Sequence, residues 1–140
     1  MAAAQPSPTL AGKCLCGAVA FEAARDRSEV EACHCGQCRR WSGAGWMNVN
    51  VPYASLKFTS GADKVGWHRS SDLVRRGFCR ECGSALFWHA DRHPDHAHTI
   101  AVSAGSLAAP TGMKLAKHIF VSDKGDYYDI ADGLPQKEKY

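Results

Sequence analysis

Short apolar stretches broken by glycine dominate the chain, and few of them are long enough for a helix. Met47 to Val51 (MNVNV) alternates with period two, which predicts a half-buried strand with Met47, Val49 and Val51 on one face and Asn48 and Asn50 on the other. Similar β-branched or aromatic runs predict strands over Ala18–Ala23, Glu29–Cys33, Gly45–Val51, Leu56–Thr59, Lys64–Arg69, Leu73–Phe78, Ser84–His89, Thr99–Ala104 and His118–Val121. A single helical turn is expected over Gly36–Trp41. No internal repeat or linker splits the chain. The fold class expected is mainly β: one domain of short antiparallel strands with the cysteines on the turns between them.

Size and charge narrow this further. The chain has 140 residues, 45% of them hydrophobic, which suits one domain with a modest core that metal ions can reinforce. No apolar run approaches the ~20 residues of a membrane span. A net charge of +3, with basic residues in pairs instead of runs, argues against nucleic acid as the default partner. The first residues carry neither a basic segment nor an apolar one. Residues 1–11 therefore read as a disordered tail on a cytoplasmic protein, residues 12–136 as the domain, and residues 137–140 as a C-terminal tail.

All seven cysteines fall into three clusters: Cys14 with Cys16, Cys33 with Cys35 and Cys38, and Cys79 with Cys82. An odd number leaves a thiol over in any disulfide framework, and a Cys-x-Cys pair is too close to bridge easily. Cys35-Gly-Gln-Cys38 matches a redox Cys-x-x-Cys but lacks the βαβ surroundings that motif requires. Metal coordination fits better, since thiolates suit zinc and seven divides into a closed set of four and an open set of three. Spacing alone leaves two partitions. A ribbon site would join Cys35 and Cys38 to Cys79 and Cys82. The preferred partition joins Cys14 and Cys16 to Cys79 and Cys82, using whole clusters and closing the longer loop. Gly17, Gly36 and Gly83 each follow a cysteine, where positive φ lets backbone N–H groups turn toward sulfur.

Four ordered motifs carry a family resemblance: GKCLCGAVAF from Gly12, CHCGQCRRWSGA from Cys33, RGFCRECGS from Arg76, and HIFV from His118 with DGLP from Asp132. Over Gly12 to Gln136 the chain resembles the glutathione-dependent formaldehyde-activating family. The resemblance implies a β-tent-like zinc fold with two zinc ions: a structural one on Cys14, Cys16, Cys79 and Cys82, and a catalytic one on Cys33, Cys35 and Cys38. It also implies a carbon–sulfur lyase joining or separating glutathione and formaldehyde as S-(hydroxymethyl)glutathione. The donor set agrees with a thiol ligand, because three thiolates make zinc electron-rich and a poor activator of water. Arg39 and Arg40, directly after Cys38, are expected to offset the negative charge or to hold a glutathione carboxylate.

Other polar residues have weaker roles. Alternation should turn His34 away from the metal that Cys33 and Cys35 face. Trp41 and Trp46 read first as core. His93, His96 and His98 lie in what reads as a surface connection, and the cysteines already account for two sites. The chain departs from the family pattern at Gly105–Ala109 and at Asp126–Tyr128, both expected near the pocket and both bearing on the substrate. Two alternatives stay open: a zinc-stapled interaction module like the related domain of centromere protein V, and a detoxification enzyme for another small thiol adduct. His34 or His118 closing the three-cysteine site would favour the module.

Overall fold

The computed structural model describes residues 8–140 and places their strands in two sheets. The smaller sheet has the order β1 (Thr9–Lys13), β2 (Ala20–Ala24), β5 (Lys57–Ser60), all antiparallel. The larger has seven strands: β10 (Lys114–Ile119), β3 (Glu29–Cys33), β4 (Trp46–Pro52), β9 (Thr99–Ser103), β8 (Ala85–His89), β7 (Arg75–Cys79) and β6 (Val65–Arg69), in that order. Every pairing is antiparallel except that of β10 with β3. One short helix, α1 (Gly36–Ser42), begins on the N-cap Cys35 and ends at Gly43, whose φ of 93° only glycine adopts readily. No helix among the described residues is long and apolar enough to cross a membrane.

Apolar side chains bury both faces of the large sheet. On one face Val49, Val51, Phe87, Ile100 and Val102 pack with Leu10, Phe21 and Ala23 of the small sheet to form the main core. On the other face Trp46, Ala101 and Ile119 form a second cluster with Cys33 and Cys38, against which Trp88 packs. Strand alternation produces this arrangement: Ile100 and Val102 point one way and Ala101 the other, and Phe87 and Trp88 divide likewise. This corrects the expectation for Met47–Val51. The strand is buried on both faces: Met47 is 46% exposed, while Asn48 is only 3% exposed.

Three further expectations are corrected. Residues 9–11, read as part of a disordered tail, belong to β1, where Leu10 is buried and Thr9 to Lys13 pair with Ala24 to Ala20; residues 1–7 lie outside the described residues. Tertiary pairing overrides the poor strand propensity of Ala11 and Gly12 there. The strand expected over His118–Val121 starts earlier, at Lys114, and stops at Ile119 because Phe120 takes φ 55°. Residues 137–140 are joined to that end of the sheet, with Lys137 N donating to His118 O, Val121 N to Lys137 O and Phe120 N to Lys139 O at 2.8–3.0 Å.

Phe21 links the two sheets, since its ring meets Phe87 edge-on at 5.1 Å and is 1% exposed. Phe21→Ala should therefore destabilise the fold by about 3–5 kcal/mol in urea unfolding. A loss under about 1 kcal/mol would show that the sheets do not depend on this contact.

Candidate metal centres and the adjoining cavity

Two similar knuckles build the four-cysteine centre. Cys14 follows β1 and Cys79 ends β7; the turns after them carry Cys16 and Cys82, closed by Gly17 at φ 80° and Gly83 at φ 81°. The backbone bonds match as well, with Gly17 N donating to Cys14 O at 3.1 Å and Gly83 N to Cys79 O at 2.8 Å. All four sulfurs lie within 4.8 Å of one another. Cys14 and Cys16 sulfurs are 3.7 Å apart and those of Cys16 and Cys79 3.8 Å. A tetrahedron with zinc–sulfur bonds near 2.3 Å has edges of about 3.8 Å. The set therefore fits a tetrahedral metal ion of that size.

Hydrogen bonds favour the anionic form at Cys14 and Cys82, while the neighbouring sulfurs push Cys16 up to about 12. Val19 N donates to Cys14 Sγ at 3.3 Å. Ser84 Oγ accepts from Leu15 N at 3.0 Å, which leaves its O–H free to donate to Cys82 Sγ at 3.2 Å. The Ser84 hydroxyl and backbone bring the Cys82 pKa down to about 5.

In the three-cysteine centre, β3 delivers Cys33 and α1 delivers Cys35 and Cys38, whose sulfurs also lie within 4.8 Å of one another. Cys38 N donates to Cys35 Sγ at 3.3 Å. Crowding forces the thiols to share charge: Cys33 and Cys38 sulfurs push Cys35 down, while Cys35 and Cys38 push Cys33 far up. Replacing the retained protons by a divalent cation removes that conflict, so this set also fits a thiophilic ion. Gly36 departs from expectation, because it is the first residue of α1 and does not take a positive φ.

No His, Asp or Glu joins this trio among the described residues. His34 points away from it, as alternation predicts, into a buried chain of polar groups. His34 Nδ1 lies 2.5 Å from the Tyr128 hydroxyl, His34 Nε2 lies 2.9 Å from His118 Nδ1, and His118 Nε2 lies 2.6 Å from Asp132 Oδ2. With neutral imidazoles these bonds run in one direction, from the Tyr128 O–H through both rings to the Asp132 carboxylate. Burial, then the neighbouring His118, pushes the His34 pKa down and favours that neutral form. Both histidines are thus committed elsewhere and neither lies with the trio.

The trio borders a cavity of about 710 Å³ lined by all three cysteines. Trp46, Trp88 and Ile119 stand in its wall, Asn48 and Asn50 of β4 line it, and Arg40 lines it from α1. Arg39 is not among the lining residues; its charge instead reaches Tyr128. Trp41 lies behind the wall, edge-on to Trp46 at 4.9 Å. Neither departure from the family pattern borders this cavity. Leu107 bridges to Gly12 beside β1, and Tyr127 and Tyr128 line a separate cavity of about 420 Å³ with His34 and His118. The His93 and His96 rings lie 4.3 Å apart, tilted by 42°, in a turn, and join no metal-like group among the described residues.

One site residue was not singled out from the sequence. Arg76, 4% exposed, directs Nη1 to Cys38 Sγ at 3.5 Å, Nη2 to Gln37 Oε1 at 3.1 Å and Nε to Ser70 Oγ at 3.2 Å. Its guanidinium also lies 5.0 Å from the Trp41 ring centre. The charge offset expected of Arg39 and Arg40 thus has a closer source. Its position on a neighbouring strand is visible only once β7 is folded beside α1.

Fold and site together describe a small β protein with a closed and an open thiolate centre. Residues 9–123 match the family model described as glutathione-dependent formaldehyde-activating enzyme, and the chain belongs to that family. It is 26% identical over 125 residues to a protein of Schizosaccharomyces pombe named as an uncharacterized lyase, a match covering 89% of this chain and 88% of that one. A crystal structure of a Rhodobacter sphaeroides protein superposes with a TM-score of 0.60 at 19% identity, covering 91% of this chain and 98% of that one, and so shares the fold.

Two substitutions separate the centres. Cys79→Ser should abolish cooperative folding, since a structural ion contributes on the order of 10 kcal/mol in such domains, whereas Cys38→Ser should remain folded by circular dichroism. Equal unfolding of both would reverse the assignment. Arg76→Gln removes a charged hydrogen bond worth about 1.5–3 kcal/mol, so the open centre should lose its ion to a chelator at least tenfold more readily while the closed centre is unaffected.

Proposed function

We propose that the protein is a zinc-dependent carbon–sulfur lyase acting on a glutathione–aldehyde adduct, with S-(hydroxymethyl)glutathione as the simplest member, in either direction. The observation that carries this reading is the trio Cys33, Cys35 and Cys38 facing a cavity with no fourth protein ligand among the described residues. Cys14, Cys16, Cys79 and Cys82 would hold a second, structural zinc. Family membership supports the lyase class.

When bound to the open trio, zinc would supply a soft Lewis acid that keeps an incoming thiol ionised at neutral pH. The residues of the chain do the rest. Arg76 offsets the negative charge of the trio and of the added sulfur through its bond to Cys38. Arg40, on the exposed side of α1, is placed to meet a carboxylate of the tripeptide. Adduct cleavage breaks the C–S bond, returns its electron pair to sulfur, releases the hydroxyl proton and forms the carbonyl. No oxidant or reductant is needed. The open centre favours this reading over an interaction module, for which His34 or His118 would have to close the trio.

Purified protein should carry two zinc ions per chain by elemental analysis. It should bind glutathione far more tightly than S-methylglutathione, which cannot supply a thiolate, as measured by calorimetry. It should also speed exchange between glutathione and formaldehyde above the uncatalysed rate, and Cys35→Ser should remove the acceleration. Equal affinity for the two thiols would contradict the thiolate mechanism; tight thiol binding without acceleration would contradict the lyase.

A further inference from the structure

One side of the cavity beside the trio carries an apolar and aromatic patch. Cys33 and Cys38 themselves belong to the second core cluster, with Trp46, Ala101 and Ile119, and Trp88 and Phe120 pack against it. Most of these residues also line the 710 Å³ cavity. Formaldehyde has almost no apolar surface, and glutathione is a charged tripeptide, so neither would cover this wall. Trp46 is already 5% exposed, whereas Trp88 is only partly buried, so a ligand against the Trp88 ring would add the burial that aromatic side chains favour. A cavity of roughly 150 Å³ already accommodates a benzene ring in a protein interior. The space beside the trio is several times larger.

The helix side of the lining is polar, while the sheet contributes the aromatic patch together with Glu31, Asn48, Asn50 and Arg76. Arg40 and Gln37 are contributed by α1, whereas Trp46, Trp88 and Ala101 are contributed by the sheet. A peptide thiol with its carboxylates toward Arg40 would leave the sheet side to whatever is attached to the carbon next to sulfur. Phe120 reinforces that side. Its φ of 55° is rare for a bulky residue and is held by the bond from its N–H to Lys139 O at 2.8 Å, at a position lining the cavity.

We propose that the preferred carbonyl fragment is an aldehyde with an apolar, aryl-sized side chain seated against Trp46 and Trp88, taken in preference to formaldehyde. This rests on the carbon–sulfur lyase reading and specifies its substrate class. The step is RS–CH(OH)R′ giving RS⁻, a proton and R′CHO, with R′ apolar. The C–S pair goes to sulfur, the hydroxyl proton goes to solvent, and no redox change occurs.

The test compares kcat/KM of the zinc-loaded protein for the glutathione adducts of formaldehyde and phenylacetaldehyde, each relative to its uncatalysed rate. The phenylacetaldehyde adduct should be favoured at least tenfold. In Trp88→Ala, and less severely in Trp88→Leu, that ratio should fall toward one. The unreactive analogue 2-phenylethanol should quench tryptophan fluorescence saturably in the parent protein and weakly in Trp88→Ala, a readout independent of turnover. A preference for formaldehyde, or equal rates, would overturn the substrate assignment while leaving the lyase intact. No acceleration with either aldehyde would overturn both.

Discussion

The convergence of two distant cysteine knuckles is the constraint on which the structure depends. Cys16 and Cys79 lie 63 residues apart in sequence, yet their sulfurs approach to 3.8 Å. The first knuckle joins β1 to β2 in the small sheet, and the second joins β7 to β8 in the large one. A metal ion held there would tie the two sheets at one end, while Phe21 and Phe87 join them in the core. Four thiolates gathered without a cation would repel one another, so this part of the fold and metal binding are expected to be coupled.

The open centre depends on the sheet in a different way. β3 brings Cys33 to the strand end and α1 returns Cys35 and Cys38 over the second apolar face, while β7 supplies Arg76 from the side. Burial on both faces separates two kinds of polar chemistry. The cysteines face the aromatic cavity, and His34 between them faces the Tyr128, His118 and Asp132 chain. That chain anchors the segment after β10 to the strand carrying Cys33. The histidine therefore holds the scaffold in place behind the three sulfurs.

Cysteine clustering made both groups of cysteines readable, because closeness in sequence and the limits of disulfide geometry left few partitions. Eight of the nine expected strands lie within a few residues of their observed bounds, because their alternation or β-branched content is strong. β1 was missed because Ala11 and Gly12 carry no strand signal until β2 pairs with them. Asn48 and Asn50 looked like a solvent face, since period two reports only that the two faces differ and not what covers each. Arg76 and Trp88 reach the cavity through strand order, which no local pattern encodes. Arg39 and Arg40 looked equivalent as neighbours, but one helical step sends them to different sides of α1.

The central claim is that the Cys33, Cys35 and Cys38 centre accepts an outside thiolate. Zinc-edge X-ray absorption of the two-zinc protein, recorded with and without glutathione, tests it most directly. The account predicts an added zinc–sulfur distance near 2.3 Å on glutathione binding, lost in Cys35→Ser and absent with S-methylglutathione. An unchanged spectrum at saturating glutathione would contradict it.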